Sequence, residues 1–481
     1  MPLSFNTVAS WRRTGPRRAT RTWLAWGLAG LLIVAGGATL VLLRSPAQRG
    51  PAVGSATLHV ESVPTGAAID VDGHARGHTP TTVSLEPGEH RVTFQHAQFA
   101  EATYQINVDA DQTTALVAEL WLRTPHVQRL RPPFPGGEIT SASFLNDGQV
   151  ALVVAVPPGD ERQLWLLDGR GTTRRLGPPV ARGSLAVAPD GRHVAYLASQ
   201  EGSGIGGGRL SEVWIARGDE ERGERRYAFH AGSSDERLLD LSWDPTGRHV
   251  LIISRQKRRD GGQRSQFRLL DVASGQLREL ASLPSEVVLG SNSWSPDGRY
   301  IAFIARTDQL LSLCLVGTVD GAFHYLADLS HERFSPPPFP PLAWSPDGQR
   351  LIYAAPAQDR PISARGSGGT KSPSVLFAAD LNQPSGQPLG EAMGDAPAWR
   401  RDGAIVALVR PERDGPLLLR AIEPGGDGRD LGELSLPPAS KFAARWDVVH
   451  AQAIVALPGM ANPATGSPEY WLVRFRPEVE R

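Results

Sequence analysis

The chain has 481 residues, 51 of them Gly and 40 Pro, and a formal net charge of zero, with 50 Lys plus Arg against 50 Asp plus Glu. That length allows more than one domain with its own core, and the balanced charge excludes a bulk field that would gather nucleic acid. The single cysteine, Cys314, excludes an intramolecular disulfide; its place in Leu313-Cys-Leu-Val316 predicts a buried strand thiol.

Residues 1–21 form a basic tail carrying Arg12, Arg13, Arg17, Arg18 and Arg21. Thr22 to Leu43 carries no charge. As a helix at about 1.5 Å per residue it spans roughly 33 Å, enough for the hydrocarbon core of a bilayer. Trp23 and Trp26 suit one interfacial belt. Only Arg44 and Arg49 follow closely, so the positive-inside bias puts the N-terminus in the cytoplasm and everything after Leu43 outside. The rival is a cleaved signal peptide, with Ser45-Pro-Ala47 as its small-residue site. Signal cores are shorter than this run, which favours an uncleaved single-pass anchor in the cell membrane. Residues 44–55 read as a polar linker containing Pro and Gly.

Residues 56–121 alternate in short runs: Thr57 to Val60, Ala68 to Val71, Thr82 to Leu85, Arg91 to Phe94, Tyr104 to Val108 and Ala115 to Leu120. Period-two alternation between Gly and Pro turns predicts half-buried strands. Asp72-Gly73 marks a tight hairpin and Pro87-Gly88 another turn. These residues resemble the PEGA domain, a small all-β module of bacterial surface proteins. The tetrad stands as Pro64-Thr65-Gly66-Ala67, with Thr65 where that family usually has glutamate. Asp72-Gly73, Gly77-His-Thr-Pro80 and Leu85-Glu-Pro-Gly-Glu-His-Arg-Val92 follow in the family's order. The resemblance implies a β-sandwich serving as an extracytoplasmic interaction or spacer module, without catalysis. His74, His78, His90 and His96 lie close in sequence. A metal site would need Cys partners or a paired-His spacing that is not present, so solvated turn and strand histidines are the better account. Asp70-Val-Asp72 and Asp109-Ala-Asp111 lack a calcium loop and read as turn caps.

From residue 126 to 476 a large apolar residue recurs four positions ahead of a turn and a short apolar strand. Trp294-Ser-Pro-Asp-Gly298 and Trp344-Ser-Pro-Asp-Gly348 are the clearest copies. Phe144 to Gly148, Val187 to Gly191, Trp243 to Gly247 and Trp399 to Gly403 are weaker, and Trp446 to His450 has lost the glycine. The turn glycines are spaced 43 to 56 residues apart, a period that means a propeller or an array. Each repeat supplies about four strands, the plan of a propeller blade. The last repeat stops after its third strand, while Val127 to Leu130 lies ahead of the first. Pairing the two removes an exposed edge, so a ring closed by that N-terminal strand is expected. This gives seven blades, or six if the Trp446 repeat is not a blade.

The turns resemble those of TolB-type, WD-like propeller repeats, a generic family that implies a scaffold or binding platform. Pro presets φ, Asp caps the turn and Gly takes positive φ; the tryptophans are expected between blades. Insertions at Ser199 to Gly208, Gln256 to Gln263 and Pro356 to Ser372 suit a rim, and Arg255 to Arg259 is a small basic cluster suited to a solvated loop. No G-x-S-x-G pentad, P-loop lysine, paired carboxylate or Cys-His arrangement stands out.

The expectation is thus an all-β protein: one transmembrane helix, a PEGA-like domain, then a propeller that binds a protein or envelope polymer outside the membrane. The alternative is a hydrolase or lyase with a site in the propeller channel. No catalytic, cofactor or metal residue is identified, no cofactor is expected, and the binding residues stay unassigned.

Overall fold

The structure is a computed structural model that describes residues 55–145, 148–159, 161–201, 209–218, 224–229, 236–257, 262–288, 290–306, 311–328, 342–356, 374–381, 383–393, 395–400, 404–410, 415–422, 428–439, 442–462 and 466–476. The expected tail, transmembrane segment 22–43 and the linker up to residue 54 lie outside them. Among the described residues no helix is long and apolar enough to cross a membrane.

Seven strands build a two-sheet sandwich: β1 (Ala56–Val63), β2 (Ala68–Val71), β3 (His74–His78), β4 (Thr81–Leu85), β5 (Gly88–His96), β6 (Phe99–Val108) and β7 (Thr113–Glu119). One sheet runs β4-β1-β7 and the other β3-β2-β5-β6. Alternation decides the facing. Leu58, Val60, Ile69, Val71, Val92 and Phe94 turn inward to one core, while their neighbours are half-buried or exposed. The Pro64 to Ala67 tetrad has a structural purpose. Gly66 takes φ +89°, and the Gly66 and Ala67 amides both donate to Thr79 Oγ1 at 3.1 Å. Thr65 is exposed, so its departure from glutamate leaves this knot intact. β3 escaped the sequence reading because all five of its residues are exposed.

A strand β8 (His126–Arg129) follows, and then the periodic region. Its described strands form seven sheets in chain order, each entered by a strand that ends on the repeat's apolar residue or one beside it. These entering strands are Glu138–Phe144, Val180–Val187, Glu236–Trp243, Ser293–Trp294, Leu342–Trp344, Asp395–Trp399 and Ala443–Asp447. The strand after each turn is apolar at consecutive positions, because both of its faces are buried. In the third sheet Val250 and Ile252 face the second sheet, whereas Leu251 and Ile253 face the fourth. The same division recurs around the molecule, giving a core between every pair of successive sheets and one between the seventh and the first. The sheets therefore form a closed ring, a β-propeller.

Closure uses the strand expected from the sequence. The seventh sheet holds Ala443–Asp447, Gln452–Asn462 and Ser467–Arg474, with β8 as its outer strand. Val127 lies opposite Val473 and His126 opposite Arg474. The Leu122 amide extends the pairing by donating to the Phe475 carbonyl at 2.7 Å, and the Leu130 amide to Tyr470 O at 2.9 Å.

The turns also follow expectation. Gly148, Gly191, Gly247, Gly298 and Gly348 take φ between +63° and +73°. Where the last repeat lacks glycine, Ala451 adopts φ +51°. Asp297 Oδ1 accepts from Ser295 Oγ at 2.6 Å and from the Arg299 amide at 3.0 Å, while Ser295 Oγ accepts from the Tyr300 amide at 2.9 Å. Ser and Asp of the repeat are thus a pair of turn caps.

Candidate functional site

Two places gather polar or aromatic side chains from separate elements. The first lies among the entering strands. Asp240, only 5% exposed, accepts from the amides of Leu241 at 3.0 Å and Gly290 at 2.8 Å and from Asn292 Nδ2 at 2.8 Å. A bulge between Leu238 and Asp240 turns this carboxylate out of regular register. Asn292, 8% exposed, keeps its Oδ1 without a donor. Arg445, from the seventh sheet, donates to Ser143 Oγ of the first at 3.0 Å. Its charge also acts on Asp240, though none of Asp240's hydrogen bonds comes from it. Burial pushes the Asp240 carboxyl up to about 6, against its three donors and Arg445. Burial likewise works against the charge of Arg445, and Asp240 supports it. Tyr470, 1% exposed, donates its hydroxyl to Thr140 O at 2.8 Å, and burial holds that hydroxyl protonated.

Sequence reasoning missed this cluster. The available signal was a polar residue within an otherwise apolar entering strand, as in Leu238-Leu-Asp-Leu-Ser-Trp243. Nothing in one sequence places Asp240 and Arg445 in each other's field, since 205 positions separate them (445 minus 240).

The second place joins the sandwich to the ring. Trp121, 2% exposed, stacks on Phe475 with centroids 4.7 Å apart, and Phe475 stacks on Trp446 at 5.7 Å. The Arg400 guanidinium covers Trp121 at 5.0 Å and donates to Glu119 O at 2.8 Å. Arg429 meets Glu101 twice, carboxylate at 2.9 Å and carbonyl at 2.8 Å, and Arg476 pairs with Glu119 at 2.6 Å. Gly432 lies so close to the Arg123 carbonyl that a Cβ there would come within 2.1 Å of it. Ala100 and Trp121 share one core with the sixth and seventh sheets. The sandwich is docked on the ring, because its final residues carry a large aromatic side chain that needs burial.

The other candidates resolve simply. His90 bonds Asp72 and the Glu86 carbonyl, His74 bonds the Asp72 carbonyl, and His96 meets the Phe99 ring. Among the described residues no group of three or more His, Cys, Asp or Glu side chains is placed to hold a metal ion. Asp70 and Asp72 act as turn caps, accepting from the Gly73 and Arg91 amides. Arg255 pairs with Glu286, whereas residues 258–261 of the basic loop lie outside the described part. So do 202–208, 357–373 and 401–403. Cys314 is 8% exposed within its strand, as predicted.

Residues 55–122 match the PEGA domain family. No curated protein sequence matches the chain. Among solved structures it is similar to an oligogalacturonate lyase in complex with manganese, at 13% identity over 81% of this chain and 97% of that one, with a TM-score of 0.49. It is similar to an oligogalacturonate lyase from Vibrio parahaemolyticus at 11% identity, over 74% and 98% of the two chains, with a TM-score of 0.46. It is also similar to TolB from Acinetobacter baumannii at 15% identity, over 67% and 78%, with a TM-score of 0.33. At these values no site residue or activity passes from those proteins to this chain. The class defined here is a PEGA domain followed by a β-propeller.

Proposed function

We propose that this protein is a membrane-anchored binding scaffold whose seven-bladed propeller presents a platform for a protein or envelope polymer outside the membrane. Residues 22–43 are the single span, 56–121 the PEGA domain and 126–476 the propeller. The observation that carries the reading is the docked interface. Trp121 clasped by Phe475 and Arg400 makes the PEGA domain and propeller one body, so a partner meets both as a single preformed surface. A platform that must meet a partner at a membrane gains from this, because orientation fixed beforehand is not lost on binding. The balanced net charge argues against nucleic acid as that partner.

The test is crosslinking of the full chain in intact cells, followed by identification of the crosslinked species. Recovery of one envelope protein or polymer, lost when Trp121 is replaced by Ala, supports the scaffold. A second reading, a hydrolase or lyase with a channel site, draws on Asp240, whose raised pKa and neighbouring Arg445 suit acid–base chemistry. Turnover of a glycan or peptide library, abolished by Asp240→Asn, would replace the first reading by the second.

A further inference from the structure

We propose that His90 is a pH-operated latch holding together the two sheets of the PEGA domain. Three parts of the chain meet at this ring. His90 stands on β5. Its Nδ1 faces Asp72 Oδ2 at 2.6 Å, and Asp72 forms the turn between β2 and β3. Its Nε2 faces the Glu86 carbonyl at 2.7 Å, in the connection that leaves β4 for β5. β4 belongs to one sheet, and β2, β3 and β5 to the other. The imidazole therefore ties the end of one sheet to the hairpin of its partner.

The chemistry of the two acceptors fixes the charge of the ring. A carbonyl oxygen can only accept, so Nε2 carries a proton. A neutral imidazole would then present a bare lone pair at Nδ1 to the carboxylate oxygen of Asp72. Only the imidazolium donates to both. Asp72 is fixed in place for this contact: its Oδ1 accepts from the Arg91 amide at 2.8 Å, its amide donates to Arg91 O at 2.9 Å, and it adopts φ +54°.

The charged groups facing the ring are few. Asp72 faces it from the hairpin and Glu86 from the β4–β5 connection, and both favour the cation. His74 on β3 acts on Asp72 instead, with its Nδ1 against the Asp72 carbonyl at 3.1 Å. Arg91 contributes its backbone. Burial alone works against the charged ring, but the bonds to Asp72 and Glu86 and their charges outweigh it. The pKa of His90 is accordingly raised above the ordinary 6.5. A group whose folded pKa is raised stabilises fully below its unfolded value, and that support is lost as pH climbs through the folded value. The latch is closed below the ordinary imidazole value of 6.5 and opens as pH rises above it.

The test is hydrogen exchange by mass spectrometry on the full chain in detergent, at steps from pH 5.5 to 9 and corrected for the intrinsic rate. Peptides covering residues 68–92 are compared with propeller peptides covering 250–256 and 301–305. In the native chain the first set should lose protection severalfold as pH rises above 6.5, while the propeller peptides hold steady and report that the variants fold. His90→Gln, whose amide has donors only on its nitrogen and so cannot span both acceptors as the ring does, should show weak protection at every pH. Asp72→Asn should move the transition to lower pH. Protection of residues 68–92 that is independent of pH in the native chain, or a transition that persists in His90→Gln, overturns the latch.

Discussion

The indole N–H of Trp294 donates to Ser242 Oγ at 3.0 Å, and these residues lie at the ends of the entering strands of adjacent sheets, Trp294 last in its own and Ser242 next to last. The relation repeats. Trp243 donates to Ala186 O at 3.1 Å, Trp344 to Ser293 O at 3.2 Å and Trp446 to Ala396 O at 2.8 Å, each reaching one sheet back. Trp243, Trp294, Trp344 and Trp446 are thus clamps between blades as well as core residues, whereas the buried Trp399 indole N–H has no hydrogen-bond partner among the described residues.

Trp294→Phe keeps an aromatic ring and removes the clamp. The loss should be about 0.5–1.5 kcal/mol, the net worth of one partly buried hydrogen bond. Urea unfolding of the two proteins measures it. Ser242→Ala should cost a similar amount, and the double variant less than the sum, because both changes remove one bond.

Arg278 donates to Thr318 O of the next sheet at 3.0 Å, and Arg174 likewise reaches Gly218 O of the next sheet. Arg429 stands at the corresponding place in the sixth sheet, yet it turns to Glu101 of the PEGA domain. Glu101→Arg should loosen docking by like-charge repulsion, and adding Arg429→Glu should recover part of the loss. Both side chains are over a third exposed, so the effect should be modest and weaken with salt. Trp121→Ala should cost much more, about 3–5 kcal/mol, for an aromatic group removed from a packed core. Limited proteolysis between residues 122 and 126 reads both.

Acid should act on the ring in two ranges with opposite signs. Asp240 titrates near 6 when folded, above the ordinary 3.8, so its contribution to stability falls as pH rises from about 4 to 6. Asp240→Asn should remove that slope. The turn carboxylates Asp190, Asp244, Asp297 and Asp347 are held below 3.8: burial works against all four, as the largest influence on the first three, and the turn bonds outweigh it. The Ser345 hydroxyl is the largest influence on Asp347. Their support is complete above 3.8 and lost as pH falls further. Unfolding free energies measured from pH 3 to 7 separate the two ranges.

Gly298 takes φ +71°, and a Cβ there would meet Pro245 at an ordinary 3.7 Å. The cost of Gly298→Ala is therefore one of backbone conformation, about 1–2 kcal/mol. Thermal unfolding measures it.

Much of this architecture was legible in the sequence, because turn chemistry and burial on two faces each leave a mark. The Ser-Pro-Asp-Gly turns and runs such as Val250 to Ile253 located the blades, and the missing fourth strand of the last repeat pointed to Val127. The exposed strand His74–His78 left no hydrophobic mark. The strands Glu224–Phe229 and Gln383–Met393 were also missed, because neither begins with the short polar run ending on leucine that marks the outer strands of the other repeats. Docking through Trp121 and the pairing of Asp240's field with Arg445 depend on contacts across hundreds of positions, which period and composition do not encode.

The central claim is that the two ends of the periodic region meet in one sheet, with His126 opposite Arg474. A chain carrying Cys314→Ser, His126→Cys and Arg474→Cys tests it most directly, since directly paired strand positions lie within reach of a disulfide. Mild oxidation should give a crosslinked monomer that migrates faster than the reduced chain on a denaturing gel, while a pair shifted to His126→Cys and Gln452→Cys should not. A folded protein in which the first pair stays reduced, or crosslinks only between molecules, contradicts the closed ring.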